Sequence, residues 1–188
     1  MRKKLFFLFC FCLIIFFIND CNNSESSALF NISQTVNRNI TEIEIKDNES
    51  NQIECLADNI YQESRGESYK GKVAVAFVTI NRTKSNQFPD NVCAVVKQKK
   101  ESCCQFSWYC DKEKKKESKE KIVAKLSDSV YNESHNIAKT IYYNHSNIKD
   151  PTRGALYYHA TYIHKSWKGK IKKTKIGKHI FYDIKLKG

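Results

Sequence analysis

Apolar positions recur at helical spacing over much of the chain. Ile53, Leu56, Ala57 and Ile60 follow the i, i+3, i+4, i+7 rule of one helix face, with Ser64 next on it and Gly66 placed to end it. Val73, Ala76, Phe77 and Ile80 repeat the pattern and predict a second helix from about Tyr69 to Lys84. Pro89 and Asp90 open a third, which carries Val92, Val95 and Val96. Ile122, Leu126, Val130, Ile137, Ala138 and Ile141 mark a long helix with its polar remainder facing solvent. The character then changes: Ala155 to His159 and Ile176 to Tyr182 are short, aromatic and β-branched, bounded by Gly154 and Gly177, and read as strands. The expected fold is α+β and mainly helical with a small β-sheet, and no internal repeat or sustained heptad is visible.

Upstream of these elements the pattern differs. Arg2, Lys3 and Lys4 precede an apolar run from Leu5 to Ile18, the length of a signal-peptide core and short for a membrane span. Residues 1–21 are therefore expected to be a signal peptide or an uncleaved N-terminal membrane anchor; Asn19, Asp20 and Cys21 form no small-residue cleavage site. Either way the bulk of the chain lies outside the cytoplasm, in the periplasm, the cell envelope or beyond. Residues 22–50, rich in Asn, Ser, Glu and Thr, lack a sustained period and read as a polar flexible linker. Residues 51–188 remain as one domain of ordinary size, expected to be a monomer.

Composition changes this picture in two ways. A net charge of +12 predicts attraction to polyanions, and the leader turns that away from nucleic acid and towards an envelope polymer or a membrane surface. Cys55, Cys93, Cys103, Cys104 and Cys110 all fall in the folded part, which suits an oxidising compartment. The pairing adopted is Cys104 with Cys110 and Cys55 with Cys93, leaving Cys103 over, although connectivity is not fixed by sequence and either Cys103 or Cys104 could close the short loop.

Glu63 is the leading candidate for chemistry. On the first helix it sits at the flank of the apolar face, three positions after Ile60 and seven after Leu56, where a half-buried carboxyl is desolvated and keeps its proton to higher pH. A general acid acting on a glycosidic oxygen needs that property. Taken alone, a Glu on a helix flank is more often structural.

The residues around it change that balance. Tyr61-Gln62-Glu63-Ser64-Arg65-Gly66-Glu67 resembles the Tyr-x-Glu-Ala-Arg-Gly-Glu signature of the SleB-type cell-wall hydrolases, the spore-cortex-lytic enzyme family, with Ser64 for Ala a small-for-small departure. The resemblance continues in order through Gly71, Val73 to Ala76, Asn81-Arg82, Phe88-Pro89, Val92, Gln105-Phe106-Ser107, Ala160, Trp167 and Ile176 to Tyr182, nearly all of Cys55 to Tyr182. It implies a lysozyme-like domain acting on peptidoglycan strands, with Glu63 as the catalytic acid at the bond from N-acetylmuramic acid to N-acetylglucosamine. No convincing second carboxylate stands out: Glu67 looks like the cap of the next helix, and Asp90 and Asp111 sit in loops. One acid suits a lytic transglycosylase, since hydrolysis needs a second carboxyl about 5 Å away, or about 6.5–9.5 Å away for inversion.

Expected substrate contacts are Gln105, Ser107 and Trp108 in the Cys104–Cys110 loop, where Phe106 and Trp108 either offer a sugar platform or fill the core. Tyr158 and His159 on the first strand, with Tyr157 and Tyr162, are further candidates. No metal or cofactor is expected: there is no His-Glu-x-x-His and no pair of Cys-x-x-Cys motifs. Two rivals explain less. A Cys104–His159 peptidase requires a reactive thiol where a disulfide is expected. A non-catalytic, basic, disulfide-stabilised envelope-binding module, using Lys112 to Lys121 and Lys168 to Lys178, leaves the Glu63 motif unexplained.

Overall fold

The computed structural model describes the backbone of residues 2–101, 103–114, 128–163 and 169–184. Its side chains are described from residue 31 onward, apart from residues 112–114, 170, 172, 173 and 184. The leader reading of residues 1–21 therefore rests on side chains outside those described, as does Trp167, and most of the run Lys112 to Lys121 falls outside as well. The chain divides into two units, Met1–Asn48 and Glu49–Gly188.

In the first unit the backbone is helical throughout the described residues, part of helix α1 (Arg2–Ser64). The expected flexible linker at 22–50 is thus helical. Between Arg2 and Ser64 there is no Gly or Pro, so nothing breaks the i to i−4 hydrogen-bond ladder that a helix completes within itself. Residues 31–48 are all exposed, Ile32, Val36, Ile40, Ile43 and Ile45 included, so packing does not hold this helix within its unit. Among the described residues no helix is long and apolar enough to cross a membrane.

The second unit is mainly helical with two small antiparallel sheets. It contains the end of α1, then α2 (Tyr69–Thr83), α3 (Val92–Val96), β1 (Lys99–Lys100), β2 (Cys103–Cys104), α4 (Ser107–Lys114), α5 (Ser129–Asn144), β3 (Tyr157–Ala160), β4 (Lys170–Ile176) and β5 (His179–Ile184). Local chemistry sets the helix starts. The side chains of Ser68, Asn91 and Asp128 accept from the main-chain N–H of Gly71, Ala94 and Val130 at 3.4, 2.9 and 2.8 Å, each satisfying a donor that the first helical turn leaves free.

The apolar stripes read from sequence meet in one core. Ile53, Leu56, Ala57 and Ile60 of α1 pack with Ala76, Phe77 and Ile80 of α2, Val92, Val95 and Val96 of α3, Phe106, and Ile137, Ala138 and Ile141 of α5. A second cluster of Ala74, Val78, Ala155, Ile176 and Phe181 seats the three-stranded sheet, in the order β3-β5-β4, on α2. Both disulfides pair as adopted: Cys55–Cys93 ties α1 to α3, and Cys104–Cys110 ties β2 to α4, with Cys103 free and exposed. Lys72 of α2 forms an ion pair with Glu133 of α5.

Two expectations need correction. Ile176 to Tyr182 is not one strand: Ile176 ends β4, Gly177 at φ +55° and Lys178 turn the chain, and His179 to Tyr182 belong to β5, so the lysines at 170–175 lie on a strand. The Cys-rich loop is a short hairpin, β1 paired with β2, followed by a helix. Strands of two residues carry too little period to be read from sequence.

Candidate active site

Glu63 lies on the last turn of α1, half-buried. The Tyr158 hydroxyl, reaching in from β3, donates to Glu63 Oε2 at 3.0 Å. Burial raises the Glu63 carboxyl above the ordinary carboxylate range, against the Tyr158 hydrogen bond and the positive charge of Arg82, both of which pull it down. Burial also pushes the Tyr158 hydroxyl well above its ordinary value, and the Glu63 charge adds to that, so Tyr158 remains a donor.

Arg82 is 3% exposed at the end of α2. Its guanidinium lies 5.0 Å from the Phe88 ring, 5.1 Å from Phe106 and 5.9 Å from Tyr157, an aromatic cage in which a desolvated cation is stabilised by the ring faces. Arg82 Nε donates to the Leu156 carbonyl at 2.8 Å, and neighbouring Asn81 donates to the Ala155 carbonyl at 3.2 Å and to Asp150 at 2.9 Å. These bonds fix the backbone just ahead of β3 and so place Tyr158 against Glu63. One further guanidinium nitrogen, Nη1, is buried with no partner among the described residues, a donor held inside the cluster.

Glu67, one turn beyond Glu63, is not the helix cap: Ser68 is. The Glu67 carboxylate instead accepts the Lys178 N–H at 3.1 Å in the turn between β4 and β5, with His179 Nδ1 4.0 Å away. His179 stands edge-on to Tyr158 at 5.2 Å, so the turn that Glu67 anchors supports the ring that holds Glu63. A Cβ built on Gly177 would lie 1.9 Å from Glu67 Oε2. Gly177→Ala is accordingly expected to destabilise the fold by about 1–3 kcal/mol, through displaced carboxylate and strained φ, as chemical denaturation would measure.

The other sequence candidates separate. Strand alternation sends His159 to the face opposite Tyr158: it stacks on Tyr182 at 5.1 Å, bonds its hydroxyl at 3.0 Å and is not brought to Glu63. Phe106 is core, which removes it from a sugar platform. Trp108 is half-buried, its indole N–H donating at 3.2 Å to Asn59, which in turn donates to Thr79 at 3.1 Å. Gln105 and Ser107 are exposed, and Tyr162 is exposed beyond β3. Cys104, bonded to Cys110, is no thiol nucleophile. Among the described residues no cluster of His, Cys, Asp and Glu has the makings of a metal site.

Residues 66–182, beginning three positions after Glu63, match the model of the Cell Wall Hydrolase family. The chain belongs to that family. A spore cortex-lytic enzyme from Bacillus cereus is 33% identical over 135 residues, 70% of this chain and 44% of the relative, so the chain spans less than half the length of that protein. Among solved structures, the catalytic domain of the germination-specific lytic transglycosylase SleB from Bacillus anthracis is 32% identical with a TM-score of 0.50, covering 71% of this chain and 94% of that one. The Bacillus cereus SleB catalytic domain is 31% identical, also at 0.50, covering 71% and 91%. The similarity to this cell wall hydrolase family therefore centres on the domain that holds Glu63, Arg82 and Tyr158.

Glu63 was legible, and Tyr158 was a candidate of lower rank. The sequence assigns Arg82 no role, although Asn81-Arg82 is part of the resemblance. Nothing local marks it out, since Lys72 and Thr79 of the same helix are buried as well.

Proposed function

We propose that the protein cleaves the glycan strands of peptidoglycan outside the cytoplasm, as a lytic transglycosylase with Glu63 as its single acid. The observation that carries this reading is the half-buried Glu63, whose carboxyl burial pushes above the ordinary range and whose carboxylate, once formed, is held by Tyr158 and faced by the Arg82 charge. Family membership supplies the substrate class. The two disulfides support an exported protein.

The geometry supports a two-stage reaction. Protonated Glu63 gives its proton to the glycosidic oxygen as the bond from the muramyl anomeric carbon breaks, releasing the neighbouring sugar with a free hydroxyl. The resulting carboxylate is stabilised by the Tyr158 hydroxyl and by Arg82. It then takes the proton of the muramyl 6-hydroxyl as that oxygen attacks the anomeric carbon, which closes a 1,6-anhydro ring and restores the acid. The nearest carboxylate along the chain, Glu67, is engaged by the β4–β5 turn, which favours a single acid. Purified wall sacculi incubated with the protein are expected to release soluble glycan fragments. Binding without release would overturn the reading in favour of a non-catalytic envelope-binding module.

The pH dependence has a definite sign. Cleavage requires protonated Glu63, so kcat/KM is expected to fall as pH rises through the raised value of that carboxyl. Tyr158→Phe removes a bond that lowers this value, so the alkaline limb of the profile moves to higher pH. A pH–rate profile of the two proteins checks it, and an unmoved limb would disconnect Glu63 from the limb.

A further inference from the structure

The β1–β2 hairpin borders a groove of about 440 Å³ that the chemistry above does not use. Three side-chain amides line it, Gln87, Gln98 and Gln105, with Lys100 as its cation and the free Cys103 opposite Lys100 in the hairpin register. Phe88 and Tyr157 also line it, and both pack against the Arg82 guanidinium, whose charge acts on Glu63. The groove therefore adjoins the Glu63 cluster through two shared rings.

We infer that this groove binds the peptide branch carried by a glycan strand, with Lys100 taking a carboxylate of the branch and the exposed side-chain amides of Gln87 and Gln105 bonding its main-chain amides. The inference rests on the reading of strand cleavage at Glu63. A peptide fits better than another sugar for three reasons. Amide side chains match main-chain amides in both the donor and the acceptor sense. A sugar site needs a free flat ring, whereas Phe88 and Tyr157 pack on each other at 5.9 Å and on Arg82. Charge also points this way, because exposed Lys97, Lys99 and Lys100 outnumber Glu101 along the hairpin, and wall peptide branches carry carboxylates.

The test compares soluble glycan strands that keep their peptide branches with the same strands stripped of them by an amidase, using the full-length protein. Wild type is expected to show kcat/KM about fivefold to tenfold higher on the branched strands, carried mainly by KM, and Lys100→Glu to bring the ratio to about one. A second measurement needs no turnover. In the Glu63→Gln protein, branched strands should slow alkylation of Cys103 by iodoacetamide, located by peptide mapping, at least about threefold, and stripped strands should not. Equal kcat/KM on the two substrates, a preference that survives Lys100→Glu, or unslowed alkylation would each overturn the groove assignment while leaving Glu63 cleavage intact. If wild type cuts neither strand, the cleavage reading itself fails, and the Cys103 footprint still decides the groove.

Discussion

Replacing Glu63 by Gln is expected to lower the rate of strand cleavage by about 10²- to 10⁴-fold, the usual range for loss of a positioned general acid. The substitution keeps the side-chain volume, and the amide oxygen can still accept the Tyr158 hydroxyl. It removes only the group that ionises. Stability is expected to move the other way. Because burial raises the folded-state value of Glu63, its contribution to stability is fully present below the unfolded value and is lost as pH climbs through the raised one. The Gln variant does not ionise there, so its Tm should equal or exceed that of wild type at neutral pH. A variant both inactive and unfolded would assign Glu63 a structural role instead.

The second large effect is on stability. The Cys55–Cys93 bond joins residues 38 apart and holds α1 against α3, two helical turns before Glu63. In the loop-entropy account a closure of that length constrains the unfolded chain by about 4 kcal/mol, against about 2 kcal/mol for Cys104–Cys110, whose residues are 6 apart. Cys55→Ala with Cys93→Ala should therefore lower the unfolding free energy by roughly twice as much as Cys104→Ala with Cys110→Ala. Denaturant unfolding of the two double variants measures this, and equal losses would show that helix packing, not chain closure, sets the value of the bond.

The helices were legible because their apolar stripes have a period that survives without knowledge of their neighbours: Leu56 and Ile60, Phe77 and Ile80, and Ile137 and Ile141 all reach the same core. The stretch at 22–50 has no apolar period, and periodicity alone does not distinguish a solvated helical backbone from an irregular one there. The site was legible in part. Glu63 sits at a stripe edge, which periodicity exposes. Its support does not: Arg82 is a charged residue buried in a cage of rings contributed by three separate segments, and nothing local in the sequence announces that. Glu67 was read as a cap because caps are local, yet its partner is Lys178, 111 residues away. The exchange of His159 for His179 near Tyr158 follows from strand pairing, with Tyr158 opposite Phe181 and Ala160 opposite His179, a register fixed only when β3 and β5 meet.

The measurement that bears most directly on the central claim is mass spectrometry of the muramyl ends released from purified peptidoglycan by wild type and by Glu63→Gln in parallel. The account predicts 1,6-anhydromuramyl ends from wild type and almost none from the variant. Reducing ends from wild type would contradict the single-acid mechanism and require a water-activating group, and cleavage undiminished in the variant would remove Glu63 from the chemistry.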